Sequence, residues 1–240
     1  MRRLGVLPIL FLLLVSVLAL ATGNASIIPD KPILFLLLVS VLAGSRHAVA
    51  DAGVTLLSSS SFTDSIGAFH VVGEVRNDTG QAIEFVNIIG TFTDSAGNFL
   101  ATEDTFTTLD VLAAGDIAPF DLLLTTPPAG ISQYSLQTQW EPASDVPFQG
   151  ISLVGDARVS LDSIGFTHIA GQVRNDGSAP AKFVQIIATF YAADGTVVGT
   201  DFTFASLDTI QPGQVSPYEL VTEPTRPYSN YRLQVQAESS

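Results

Sequence analysis

The chain has 240 residues, 10 basic against 23 acidic, and no cysteine. A net charge of −13 removes the basic face that nucleic-acid binding needs. The missing cysteine excludes disulfides, thiolate metal sites and cysteine nucleophiles, and the length allows one large or two small domains.

The first segment reads as a targeting leader. Arg2 and Arg3 precede an apolar run from Leu4 to Ala21. The string at Pro8–Ala19 recurs letter for letter at Pro32–Ala43, with Lys31 in front of the second copy. Ala48-Val49-Ala50 then places small residues at −3 and −1 of a cut before Asp51, the pattern that signal peptidase accepts. Residues 1–50 are therefore expected to be a signal peptide with a duplicated hydrophobic segment. The alternative is an uncleaved membrane anchor, since Leu4–Ala21 is just long enough to span. An erroneous upstream extension would need a start codon other than methionine, because Met1 is the only methionine. Without the leader the chain holds six basic and 22 acidic residues. A secreted or cell-surface location follows from this reading, membrane-anchored if the leader is retained.

The remainder is one domain written twice. Gly73–Asp78 (GEVRND) matches Gly171–Asp176 (GQVRND), and Phe85–Phe92 (FVNIIGTF) matches Phe183–Phe190 (FVQIIATF). Every match holds an offset of 98 without a gap, and Asp64–Leu124 against Asp162–Thr222 gives 25 identities in 61 positions. That period exceeds the repeats of a solenoid, so each copy is expected to own a core. Pro142, Pro147 and Gly150 punctuate the junction. The expected domains are 51–146 and 147–240, folding independently.

Each copy reads as strands. Phe69, Val71, Gly73 and Val75 alternate with His70, Glu74 and Arg76 on the opposite face. Val86, Ile88 and Phe92 share a face of the next strand. Asp94–Gly97 and Asp194-Gly195 are hairpin signals. Val54–Ser60, Phe99–Thr107, Ile117–Leu124 and Gln133–Trp140 supply further strands. Short strands at such spacing predict an all-β fold, two tandem immunoglobulin-like β-sandwich domains behind a hydrophobic leader.

The order of these elements resembles a known family. A G-x-V-x-N strand, an aliphatic-aromatic strand, a D/G turn, a Pro-Gly or Ala-Gly turn and a closing Tyr-x-Leu strand are similar to the FxLYD domain. The naming motif corresponds here to Gly90–Asp94 and Ala188–Ala192. It lacks the first phenylalanine in both copies and keeps the tyrosine only as Tyr191 and the aspartate only as Asp94. The resemblance implies an extracytoplasmic bacterial or archaeal module and carries no catalytic residues with it.

Few residues suggest chemistry. His70 and His168 are equivalent positions, one per copy, while His47 lies in the leader. A lone histidine per domain makes neither a zinc site nor, without a G-x-S-x-G elbow, a serine triad. Glu103, Asp104, Asp110, Asp116 and Asp121 crowd one stretch of copy 1. They could offer oxygen ligands to calcium, but they form no calcium-loop motif, and copy 2 replaces Asp104 with Phe202 and Asp116 with Gln214. Asn77-Asp78-Thr79 fits a glycosylation sequon, yet copy 2 has Asn175-Asp176-Gly177 there, which favours a turn role. Arg76 and Arg174 each precede an Asn-Asp turn and are expected to reach a carboxylate on the neighbouring strand.

The sequence thus assigns no catalytic, cofactor-binding or metal-ligating residue and calls for no cofactor. The expected function is a non-catalytic binding or structural module of the cell envelope. Its partner would be an extracellular or envelope protein or a glycan, with no nucleic acid and no membrane contact beyond an uncleaved leader. A calcium- or carbohydrate-binding sandwich is the alternative, with Trp140, Tyr218 or Tyr228 as exposed aromatics.

Overall fold

The computed structural model describes residues 53–144, 146–223 and 226–239. The expected leader, residues 1–50, and its expected cleavage site lie outside the described residues. Among those described, no helix is long and apolar enough to cross a membrane.

The first sandwich contains β1 (Val54–Thr63), β2 (Phe69–Asn77), β3 (Ile83–Thr93), β4 (Phe99–Phe106), β5 (Val111–Leu112), β6 (Ile117–Leu124) and β7 (Gln133–Pro142). One sheet has the order β1-β2-β6. In the other, β3 is central, with β4 and β5 along one edge and β7 along the opposite edge. All pairings are antiparallel. The second sandwich repeats the plan with β8 (Ile151–Leu153), β9 (Arg158–Leu161), β10 (Thr167–Asn175), β11 (Ala181–Tyr191), β12 (Val197–Phe204), β13 (Thr209–Ile210), β14 (Val215–Thr222) and β15 (Asn230–Ser239). Its sheets are β8/β9-β10-β14 and β12/β13-β11-β15. No strand pairs across the two sandwiches among these ladders. The all-β sandwich expected from the alternation is what forms.

Alternation fills each core as the physics of a half-buried sheet requires. Val71, Val75, Ile88, Phe92, Phe120 and Leu122 are wholly buried in the first sandwich. Val173, Ile186 and Tyr218 form one cluster of the second, and Ile169, Phe190 and Leu220 another. Gly73 and Gly171 make room for the aromatic residue opposite them on the neighbouring strand. A Cβ on Gly73 would lie 2.5 Å from Phe120 Cζ, and one on Gly171 would lie 2.4 Å from the Tyr218 hydroxyl.

Polar side chains fix the turns. Asp94 Oδ1 accepts from the amides of Ala96 and Asn98, both at 2.9 Å. The hydrogen bonds from Asn98 hold its carboxyl below the usual aspartate range. Asn77 is wholly buried. Its Nδ2 donates to the carbonyls of Gln81 (2.7 Å), Leu112 (2.9 Å) and Ala113 (3.0 Å), while Oδ1 accepts from Thr79. Asn175 does the same work in the second sandwich, donating to Ala179 and Ile210 at 2.8 Å. A wholly buried asparagine whose nitrogen is committed to three carbonyls has no room for a glycan, which favours the turn reading of this sequon.

Candidate functional site

The two sandwiches fall within one compact unit, His47–Ser240, and a built contact joins them. The outward face of the β1-β2-β6 sheet lies against β12 of the second sandwich, and side chains of β11 and β15 reach it as well. Ile187 on β11 is wholly buried and joins the hydrophobic cluster of the first sandwich. Val197 and Thr189 are also wholly buried, as is Val72 on the opposing strand to within 1%. Three side chains supply a charged centre. Glu74, only 5% exposed, accepts from the Tyr191 hydroxyl at 2.6 Å and from Arg232 Nη2. Burial beside this carboxylate pushes the Tyr191 hydroxyl well above the usual phenol range.

Glutamines complete the contact. Gln234 Nε2 donates to the Ile117 carbonyl at 2.8 Å, and Gln236 Nε2 to the Thr108 carbonyl at 3.1 Å. The amide of Asp110 returns a bond to Gln236 Oε1 at 2.9 Å. Arg226 Nη1 donates to Ser60 at 2.7 Å, and the Val197 amide to Ser58 at 3.3 Å. Most of the polar groups so buried are paired, which is what allows them to leave water, while Thr189 Oγ1 and Arg232 Nε are buried without a partner.

Two clefts border this contact. One, of about 280 Å³, lies where Phe62, His70, Asp121, Asp201 and Arg226 converge. Phe62 stacks on the His70 ring at 4.7 Å and 3°. His70 Nδ1 sits 2.9 Å from Asp121 and its Nε2 3.5 Å from Asp64. Burial raises the Asp121 carboxyl, against the opposing pull of His70. His168 repeats the geometry with Glu219 at 2.8 Å and Asp162 at 3.3 Å. Those two carboxylates raise the His168 imidazole above its usual range, Glu219 first. Each histidine is clamped between two acids on a sheet face, a structural arrangement.

The other cleft, of about 350 Å³, is aromatic and acidic. Phe183, Phe202 and Phe204 line it with Asp110, Gln185 and Gln236. The three phenylalanines are 63%, 49% and 52% exposed. Phe202 and Phe204 meet edge to face at 5.8 Å. Phe183 stands at φ +47°, a left-handed backbone that phenylalanine rarely adopts, at the register shift between Lys182 and Gln185. Phe85, its counterpart, has φ +50° at the matching shift, is 60% exposed and meets Phe106 edge to face. Burial raises the Asp110 carboxyl, and the charge of Glu238 raises it further.

The residues singled out by sequence scatter. Asp116 caps its own turn through the Ala113 amide, Asp104 accepts from Asn87 across β3, and Asp121 pairs with His70. Glu103 is exposed on β4 and Asp110 faces the second sandwich. Among the described residues no three histidine, aspartate or glutamate side chains converge as a metal site would require. Trp140 is half-buried against the first core, Tyr218 is 4% exposed in the second, and Tyr228 packs on Phe190 at 4.9 Å. These three are packing residues, which corrects their reading as an exposed aromatic platform. The exposed aromatics are phenylalanines, and their signal was the retention of Phe85/Phe183 and Phe106/Phe204 in both copies. Arg76 also differs from expectation. It reaches Asp78 in its own turn at 2.7 Å, and Thr55 on β1 holds the other oxygen of that carboxylate. Arg174 and Asp176 pair likewise, with Ser152 in place of Thr55. A two-residue step along the turn is shorter than the reach to the next strand, and that local pairing wins.

No family model matches the chain, and no curated protein sequence is similar to it. Among solved structures, a red sea bream transglutaminase matches at 13% identity, covering 88% of this chain and 32% of its own, with a TM-score of 0.24. A calcium-binding mutant of Bacteroides uniformis beta-glucuronidase 2 matches at 11% identity, covering 76% of this chain and 26% of its own, also at 0.24. The chain therefore spans about a third or less of either protein, and likeness at that level bears on no activity.

Proposed function

We propose that this chain is a non-catalytic binding or structural module of the cell envelope, exported by its leader and akin to FxLYD domains. The observation that carries this reading is the pair Phe85 and Phe183. Each is an exposed phenylalanine held in left-handed backbone at equivalent bulges. Such conformations cost about 1–3 kcal/mol each, persist only where the surrounding structure over-determines them, and cluster at functional sites. Duplication kept both. A bulge re-aims a side chain, and here it aims an aromatic ring outward beside a second one. Large exposed aromatics of this kind suit protein or glycan contact.

The test uses a Phe183→Ser, Phe204→Ser chain and native envelope fractions. Both positions are half exposed or more, so the fold is retained. Retention on the fractions should fall about tenfold or more, as for hot-spot removal, with an unchanged melting temperature. Unchanged retention would remove the phenylalanine cleft from this reading. Detection of the intact chain, still beginning at Met1, in membranes would replace export by anchoring.

A carbohydrate is the second reading, favoured by one arrangement. Asp110 and Glu238 stand beside Phe183 in the same cleft, so carboxylates able to accept from hydroxyls border an apolar platform. A glycan array resolves it, since a protein partner leaves the array blank. Calorimetry with calcium checks the acidic alternative.

A further inference from the structure

The contact between the sandwiches joins unlike faces of like domains. The β1-β2-β6 sheet of the first meets the β11-β12-β15 sheet of the second. The mates of both faces are left uncovered: the β3-β4-β7 face of the first sandwich and the β10-β14 face of the second. A heterologous contact of this type does not close on itself. We propose that these free faces bind a second copy of the chain, repeating the internal contact head to tail and extending into filaments.

Sequence equivalence supports the occupant. Gln137 faces Ile89 as Gln234 faces Ile187, and Gln139 faces Asn87 as Gln236 faces Gln185. Gln137 and Gln139 are exposed. Their targets also have counterparts at the repeat offset. The carbonyls of Ile117 and Thr108 correspond to those of Val215 and Ser206, and the Asp110 amide to that of Asp208. All three side chains are exposed on the second sandwich. The whole glutamine arrangement can therefore be copied between chains. The apolar part has counterparts too. Val197 is wholly buried at the internal contact while Phe99, its equivalent, is 66% exposed. Half-buried Ile117 corresponds to Val215, which is 39% exposed.

The charged centre is not copied. Glu74, Tyr191 and Arg232 correspond to Gln172, Thr93 and Ser135, so the contact between chains is weaker than the one within. Both sandwiches are also acidic, the first carrying one base and 13 acids over residues 51–150. Like charge opposes association until salt screens it. Assembly is thus weak at low salt and promoted by crowding on a surface or by high ionic strength.

Sedimentation velocity on residues 51–240, which carry every described strand, tests this. From about 0.01 M to about 1 M salt the screening length falls from roughly 30 Å to 3 Å. The mass should grow with salt and concentration through dimer, trimer and beyond. Gln137→Glu and Gln139→Glu, at side chains exposed in the monomer, should weaken association about tenfold or more by placing charge against carbonyls. Ser135→Arg with Gln172→Glu restores the missing ion pair and should strengthen it by a similar factor. A chain that stays monomeric throughout, including this gain-of-contact variant, overturns the proposal. So does a discrete dimer that grows no further, or association indifferent to the Gln137 and Gln139 changes.

Discussion

Arg232→Met leaves Glu74 buried at the contact between the sandwiches with Tyr191 as its remaining partner. Glu74 is 6% exposed at its side chain and Arg232 33%. Stranding one member of a buried pair costs about 3–5 kcal/mol. Three features lower that figure here. The Tyr191 hydroxyl still donates at 2.6 Å, Arg232 is a third exposed, and its Nε already lacks a partner. The expected loss is about 2–3 kcal/mol, or roughly 4–12 °C in melting temperature for a body of this size. Methionine keeps much of the apolar stem, so the loss reports on the charge. Urea unfolding monitored by Trp140 fluorescence measures it. Glu74→Gln in the Arg232→Met background should recover about half of it, because an amide is cheaper to bury than an unpaired charge. A loss under about 0.5 kcal/mol would refute the claim that this pair is desolvated.

Four further outcomes follow from named contacts. Ile187→Ala removes a wholly buried side chain and should cost about 2–4 kcal/mol, while Ile89→Ala at the half-buried equivalent should cost under about 1.5; equal losses by calorimetry would mean the sandwiches separate in solution. Gly73→Ala forces a Cβ to 2.5 Å from the Phe120 ring and the Ser58 carbonyl, so a loss of about 1–3 kcal/mol is expected and a neutral result would show that β1 can slide aside. His168 sits between Glu219 and Asp162, which raise its folded value above the usual 6.5; its stabilisation is complete below that unfolded value and is lost as pH rises through the higher folded one, so His168→Gln should flatten the stability profile across that window. Residues 51–146 and 147–240 made separately should each fold on their own two sheets, with a larger apparent stability loss in 147–240 because Ile187 and Val197 become exposed; failure of either half to fold would place the shared contact among the requirements for folding.

The local architecture was legible in the sequence because its causes are local. Alternation over Phe69–Val75 marks β2 whatever surrounds it, since successive side chains point to opposite faces of a pleated strand. Asp94–Gly97 and Asp194-Gly195 turn because an aspartate side chain bonds the amides ahead of it and glycine takes φ near +84°. The gapless offset of 98 made the second sandwich a copy of the first before either was seen. The candidate site was not legible, because its causes join residues far apart in the chain. Phe85–Phe92 and Phe183–Phe190 are nearly one sequence, yet Ile89 is half exposed and Ile187 is wholly buried. Alternation places both on an outward face, and only docking of the first sandwich decides that one of them leaves water. Nor does any pattern foretell left-handed backbone at Phe85 and Phe183. That conformation is imposed by register, where two residues of β3 or β11 must oppose a single residue of the partner strand, and the resulting bulge turns a phenylalanine that alternation alone would have left unassigned out toward solvent.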